Sequence, residues 1–256
     1  MEVAGQPKCG VTRVSNVIVE LDQEPWTFAM QNREKILTFW NEQKSRQPHF
    51  YNGQVHVMTS WSVRDGETSS AIFIGKLVRT DFASYLYWKH SDTNLRSGVD
   101  FSGGAALVCR NSALLMVLSG AHTIAPGTLE FPSGFVDVSD FDDDKLNFNR
   151  HVEREVVEEL AITKQQLGDP KQYLVSAADR VVQVLSIFKI ETEGEEFTES
   201  WRRRSSSLRS EISDVVAIHH TDDLAGLPVQ AHVKAAAAHL LSASLEKHLG
   251  CEWPSH

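Results

Sequence analysis

The sequence predicts an α/β fold in which helices pack on a mixed sheet, preceded by an N-terminal α+β region. Three observations lead there. Short β-branched runs alternate with segments of helical spacing along the whole chain. A polar, glycine-containing stretch near residues 91–104 separates an earlier group of elements from a later one, dividing the chain into residues 1–99 and 100–256. One later helix joins an apolar stripe to a row of carboxylates.

In order, residues 11–21 read as a strand. Residues 26–44 read as a helix carrying Phe28, Ile36, Leu37 and Trp40, stopped by Pro48. Residues 54–63 and 70–78 are strand-like, with Asp65-Gly66 as a turn between them. Thr80-Asp81 can cap a short helix running through Tyr87. Residues 105–109 and 113–118 are strands about the turn Arg110-Asn111-Ser112, and a short strand at 128–131 leads into Pro132-Ser133-Gly134. A polar loop at 139–145 precedes a helix from about residue 147 to 161. Strands at 172–176 and 181–190 follow, then a charged helical segment near 195–208, a strand at 215–219 and a terminal helix near 229–248.

The chain has 256 residues, 41% hydrophobic and 23% charged, which places it among ordinary globular proteins with room for a sizeable core. No apolar run approaches the roughly 18 residues that span a bilayer. The first residues do not read as a secretory signal, so a cytoplasmic, membrane-free protein is expected. The net charge of -9 argues against a partner of duplex nucleic acid, which needs a basic face. It leaves room for an anionic small molecule, because a bound divalent cation reverses the local sign of an acidic site. Cys9, Cys109 and Cys251 are scattered and odd in number, arguing against disulfides, and no Cys/His pairing has zinc spacing.

The informative stretch is Arg154-Glu155-Val156-Val157-Glu158-Glu159-Leu160. On a helix Glu155, Glu158 and Glu159 share one face, and Val152, Val156 and Leu160 form a neighbouring stripe for packing on a sheet. Like charges so close cost a few tenths of a kcal/mol per pair, a penalty that vanishes if a hard cation sits among them. A merely solvated acidic face is the plain alternative. The one-sided clustering, the preceding arginine and the upstream loop holding Pro132, Gly134 and Asp137 weigh against it.

These residues resemble the signature of the Nudix hydrolase superfamily, a glycine, a spaced glutamate and then Arg-Glu-apolar-x-Glu-Glu-x-Gly-apolar on a loop-helix-loop. Arg154 to Glu159 match without a substitution, and Ile162 fits the last apolar position. Phe131-Pro132-Ser133-Gly134-Phe135-Val136-Asp137 is similar to the loop that begins the signature, with Ser133 and Asp137 replacing a Gly and a Glu. Six extra residues separate Gly134 from Arg154, none of Asp140, Asp142, Asp143 and Asp144 is singled out as the spaced acid, and Ala161 stands in the place of a glycine that closes the helix. An altered helix exit is therefore expected. The expanded loop and N-terminal region bear a weaker similarity to UDP-glucose/UDP-galactose diphosphatases.

The resemblance implies an α/β/α sandwich and a Mg²⁺-dependent hydrolase, with Mn²⁺ as substitute, acting on the diphosphate linkage of a nucleoside-diphosphate compound such as a UDP-sugar or ADP-ribose. It implies Glu155, Glu158 and Glu159 as metal ligands, Asp137 as a further candidate, and Arg154 as the group that orients a carboxylate. The metal would neutralise diphosphate charge, polarise phosphorus and activate water for in-line attack. Family members commonly form homodimers. The altered loop and Ala161 leave a second reading, a nucleotide-binding module without turnover, and residues 1–99 as the working part of an interaction protein are a third. Glu211 is an auxiliary acid or base in one reading and an exposed loop residue in the simpler one. Arg202-Arg203-Arg204 and Ser205-Ser206-Ser207 read more simply as a solvated helix end than as a phosphate grip or a kinase target, His122 as a loop histidine, and Trp40, Phe50 and Tyr51 as core rather than a base-stacking platform.

Overall fold

Residues 10–65, 71–91, 97–204 and 211–242 are described by the structure, a computed structural model. The β-branched run near its start forms two strands rather than one, β1 (Gly10–Val14) and β2 (Asn16–Asp22). The chain breaks at Ser15, whose N–H and hydroxyl both donate to the Ala71 carbonyl at 2.8 and 3.2 Å. The two halves then enter different sheets. The expected first helix is likewise split, into α1 (Thr27–Gln31) and α2 (Arg33–Arg46), with Asn32 between them bonding back to the Phe28 carbonyl. Phe28 and Ile36 are buried, but Leu37 faces solvent and is not part of the core.

Strands β3 (Gln54–Asp65) and β4 (Ala71–Asp81) form a long antiparallel pair, and β4 runs parallel to β2. Asp81 ends β4 and caps α3 (Phe82–His90), its carboxylate accepting from the Ser84 N–H at 2.8 Å. Trp26, Phe28, Val57, Tyr85 and Trp88 pack between these helices and this sheet.

The second sheet has eight strands among the described residues. Its path runs β1, β11 (Gln172–Ala178), β12 (Val181–Ile190), β5 (Asp100–Cys109), β6 (Leu114–Ser119) and β13 (Ile212–Ile218). Strands β5 and β12 are parallel; their other neighbours on this path are antiparallel. The short β7 (Leu129–Glu130) pairs with β6, and β8 (Ser133–Gly134) pairs with β5. The sheet is therefore mixed, as expected.

Alternation along β5 divides its side chains between two cores. Ala105, Leu107 and Cys109 join the core beneath α4 (Phe148–Leu160) and α6 (Gly194–Arg204), with Val152, Val156, Leu160, Phe197 and Trp201. Ala106 and Val108 join the opposite core beneath α7 (Ala231–Leu241), with Val233, Ala236, Ala237 and Leu240. Helices thus cover both faces, giving an α/β/α sandwich. The first core also takes in Leu21, Phe73 and Leu77 of the smaller sheet, so apolar packing is continuous from one sheet to the other.

The polar loop before α4 is an ordered structure. A short 3-10 helix, Val138–Asp140, leads into a hairpin of β9 (Phe141–Asp142) and β10 (Lys145–Leu146). Strand β10 pairs with β2 at Lys145 and Glu20, and the Leu21 N–H donates to the Asp144 carbonyl at 2.7 Å. The inserted residues therefore extend the smaller sheet, while β1 supplies an edge to the larger one. A short helix not anticipated from the sequence, α5 (Lys164–Leu167), follows α4 with Thr163 and Gln166 forming its capping box.

Candidate active site

Helix α4 carries the carboxylate face. Asn147 caps its start, accepting from the Arg150 N–H, and the stripe of Val152, Val156 and Leu160 is fixed against the sheet with no more than 1% exposure. The helix ends on Ala161 in the left-handed region, at φ 55° and ψ 31°. The altered exit expected from the missing glycine does not occur: alanine adopts the glycine-like turn itself, and it is exposed there.

Arg154 is the centre of the local electrostatics. Its Nε and Nη2 donate to the two oxygens of Asp140 at 3.1 and 2.8 Å, and Nη2 also reaches the Phe135 carbonyl at 3.1 Å. The same guanidinium lies 2.8 Å from Glu155 Oε1 and 3.0 Å from Glu158 Oε2. Asp140 is fully buried and also meets His151 Nδ1 at 2.9 Å, while His151 Nε2 lies 3.2 Å from the Gly103 carbonyl. Burial alone would raise the Asp140 carboxyl. The bonds from His151, Arg154 and the Asp137 backbone outweigh it and hold the group well below the usual carboxylate range. Arg154 is pushed further toward its charged form by its bond to Asp140.

Asp140 was not separable from its aspartate neighbours by sequence alone. Its spacing after Gly134 was the available signal; the hairpin between it and Arg154 hid the relation of the acid to the helix. Asp137 has another use: its carboxylate accepts from the N–H and the hydroxyl of Ser139 and caps the 3-10 helix, outside the cleft lined by the glutamates.

Glu155, Glu158 and Glu159 line one cleft of about 480 Å³, together with Ser133, Gly134, Glu130 and Glu211. The Ser133 N–H donates to Glu159 Oε2 at 3.2 Å. Gly134 lies directly against the Glu155 carboxylate, where any Cβ would overlap it. Burial raises Glu155, and Glu158 adds to the rise against the opposing pull of His151 and Arg154. Glu159 is raised much further, by burial first and then by the charges of Glu155, Glu211 and Glu130.

These donors fit a hard divalent cation in kind. They are carboxylate oxygens, and each buried glutamate is disfavoured as an anion by desolvation and by a neighbouring glutamate, a situation that a cation relieves. They are not gathered in advance: among the described residues no three His, Cys, Asp or Glu side chains already stand at ligand spacing.

The remaining candidates divide. Glu211 and His122 do line the cleft, and the His122 ring packs 5.1 Å from that of His49. Arg202 is bound to Asp214 at 2.8 and 2.9 Å and to the Val215 carbonyl, tying α6 to β13. Ser205, Ser206 and Ser207 lie outside the described residues, as do Cys9 and Cys251. Cys109 is buried in the core, and burial pushes its thiol up to about 12. Trp40 and Phe50 pack on Phe82, whereas Tyr51, expected in the core, is 83% exposed.

No protein-family model matches the sequence, and no curated protein matches it. Among solved structures, the chain is similar to a MutT protein from Methanosarcina mazei Go1, with 16% identity, 55% of this chain and 91% of that one covered, and a TM-score of 0.37. It is similar to a Nudix hydrolase from M. smegmatis, RenU, with 13% identity, 55% and 83% coverage, and a TM-score of 0.37. A third similar structure is a bifunctional NMN adenylyltransferase/ADP ribose pyrophosphatase from Francisella tularensis, complexed with AMP and a Mn ion. There the identity is 16%, the coverage 65% of this chain and 45% of that one, and the TM-score 0.39.

Proposed function

We propose that this chain is a divalent-metal-dependent hydrolase of the Nudix kind, cleaving the diphosphate linkage of a nucleoside-diphosphate compound. One observation carries the reading: Arg154, anchored on buried Asp140, faces Glu155 and Glu158 on a helix whose three glutamates line a single cleft. Glu155, Glu158 and Glu159 are the residues that would hold Mg²⁺, with Mn²⁺ as substitute. When bound, the ion supplies charge neutralisation for the diphosphate and polarises the phosphorus.

The protein's own groups do the positioning. Arg154 fixes the directions of the Glu155 and Glu158 carboxylates from a base that Asp140 and His151 make rigid. The Ser133 N–H holds one oxygen of Glu159, whose side chain lines the cleft. Gly134 lets the loop approach Glu155 at backbone distance. Glu211, exposed on the cleft wall, would be the general base in this reading.

The test is a hydrolysis screen of nucleoside-diphosphate compounds, including ADP-ribose and UDP-glucose, with Mg²⁺ and with chelator. The expected result is metal-dependent release of a nucleoside monophosphate, reduced at least 100-fold in Glu159→Gln, an estimate on the scale of losing a metal ligand. Compounds that bind in the presence of chelator, with no turnover of any, would replace this reading by a nucleotide-binding module.

A further inference from the structure

The cleft continues past the glutamates into a polar region that the proposed metal site does not use. Helix α3 brings Tyr85 and Lys89 there from the N-terminal part of the chain, and β5 and β12 bring Asp100 and Gln183. Lys89 Nζ donates to Asp100 Oδ2 at 2.8 Å and to the Tyr85 hydroxyl at 3.1 Å, while that hydroxyl donates to Asp100 Oδ1 at 3.0 Å. Glu130 accepts from Gln230 at 3.2 Å. Lys89 is already matched by Asp100, and Glu130 adds a carboxylate, so a phosphate or carboxylate of a ligand finds no unmatched positive charge in this group.

Gln183 is the telling residue. It is 2% exposed, yet it lines the cleft. Its Nε2 donates to Ser102 Oγ at 3.4 Å, and its Oε1 has no partner among the described residues. A buried amide left half-unpaired is destabilising unless a ligand completes it. A hydroxyl suits this position, because it both donates and accepts and so satisfies either orientation of the amide. A flat base suits it less: Phe101, Phe131 and Tyr85 are each at most 4% exposed and offer no open ring face for stacking, and the more open rings of the cleft are those of Phe135 and His122.

We propose that this region is the recognition subsite for an uncharged, hydroxyl-bearing group attached to the diphosphate, with Gln183 as its specificity-determining contact. The inference rests on the hydrolase reading above. It gives the N-terminal part of the chain a role in substrate choice through Tyr85 and Lys89, which set the charge of the subsite. It also predicts opposite effects on stability and on affinity: an apolar side chain at position 183 removes an unpaired buried group while deleting a ligand contact.

The experiment compares the full chain with Gln183→Met, which keeps length without the amide, and Gln183→Asn, which withdraws the amide from the cleft. ADP-ribose and UDP-glucose serve as hydroxyl-bearing probes, and ATP and UTP as probes ending in phosphate. Hydrolysis is followed with Mg²⁺, and binding by calorimetry with Ca²⁺. Wild-type protein is expected to favour ADP-ribose or UDP-glucose over both triphosphates. Each variant is expected to raise KM, or weaken binding, roughly tenfold to a hundredfold for the favoured probe, the scale of one buried hydrogen bond. The rise in KM should exceed any fall in kcat, and the melting temperature of Gln183→Met should not drop.

Unchanged KM in both variants, with turnover still dependent on Mg²⁺ and Glu159, overturns the subsite and leaves the hydrolase reading standing. A preference for triphosphates, or variants that lose stability with no change in affinity, also overturn it. Turnover indifferent to chelator and to Glu159→Gln overturns the metal-dependent reading of the glutamates instead. A wild-type protein that binds none of the four probes overturns both.

Discussion

Asp140 shows how much one buried side chain can decide. It is fully buried and its two oxygens engage Arg154, His151 and the Asp137 N–H, so its removal strands a guanidinium that is otherwise held in place. Asp140→Ala is expected to cost ~3–5 kcal/mol, read as a lowered midpoint in urea unfolding. Because the folded-state carboxyl titrates below its unfolded value, its stabilisation is present above about pH 4 and is lost as pH falls further. The wild-type and Asp140→Ala stabilities should therefore converge in acid. Two small residues act oppositely. Ala161→Gly, at an exposed position with φ 55°, should stabilise by about 1 kcal/mol. Gly134→Ala drives a methyl into the Glu155 carboxylate and should abolish metal-dependent turnover in a protein that still folds by circular dichroism. The three glutamates were legible in the sequence because helical spacing alone puts them on one face. Asp140 was not, since its partners come from contacts across a hairpin that no local pattern reveals.

At the level of elements, the sequence pattern located α4 and the longer sheet strands, because period-two and helical patterning are local properties. What it missed is pairing. The break at Ser15 depends on Ala71 in another part of the chain, and the hairpin of β9 and β10 exists because β2 offers it an edge. The polar residues 139–145 read as a loop for that reason. Helix α3 is a different case: its cap was visible in the sequence, but its contribution to the cleft was not. Asp81→Ala removes that cap and is expected to cost about 1 kcal/mol. Since α3 carries Tyr85 and Lys89, the same variant should raise KM for the favoured substrate, measured beside the melting temperature.

For the whole molecule, two sheets share one continuous apolar core, and the cleft draws side chains from both α4 and α3. Packing under α4 buries Glu155 and Glu159, and neighbouring carboxylates add to the effect, so the metal-free protein holds both above their ordinary titration range. The sign is opposite to that of Asp140. Ionisation of these groups opposes folding, and metal-free stability should decline as pH rises from about 4 through their raised values. In chelator at pH 7, Glu159→Gln is expected to melt ~2–4 °C above wild type, a shift equivalent to about 1 kcal/mol, and to lose that advantage near pH 4. In the proposed reading, a bound cation would relieve these charges. The most direct measurement is a titration of the metal-free protein with Mn²⁺, followed by electron paramagnetic resonance and repeated on Glu159→Gln. If the carboxylate face is a cation site, wild-type protein binds Mn²⁺ in competition with Mg²⁺, and the variant binds it at least tenfold more weakly. Equal binding by the two proteins, or no binding by either, would contradict the account.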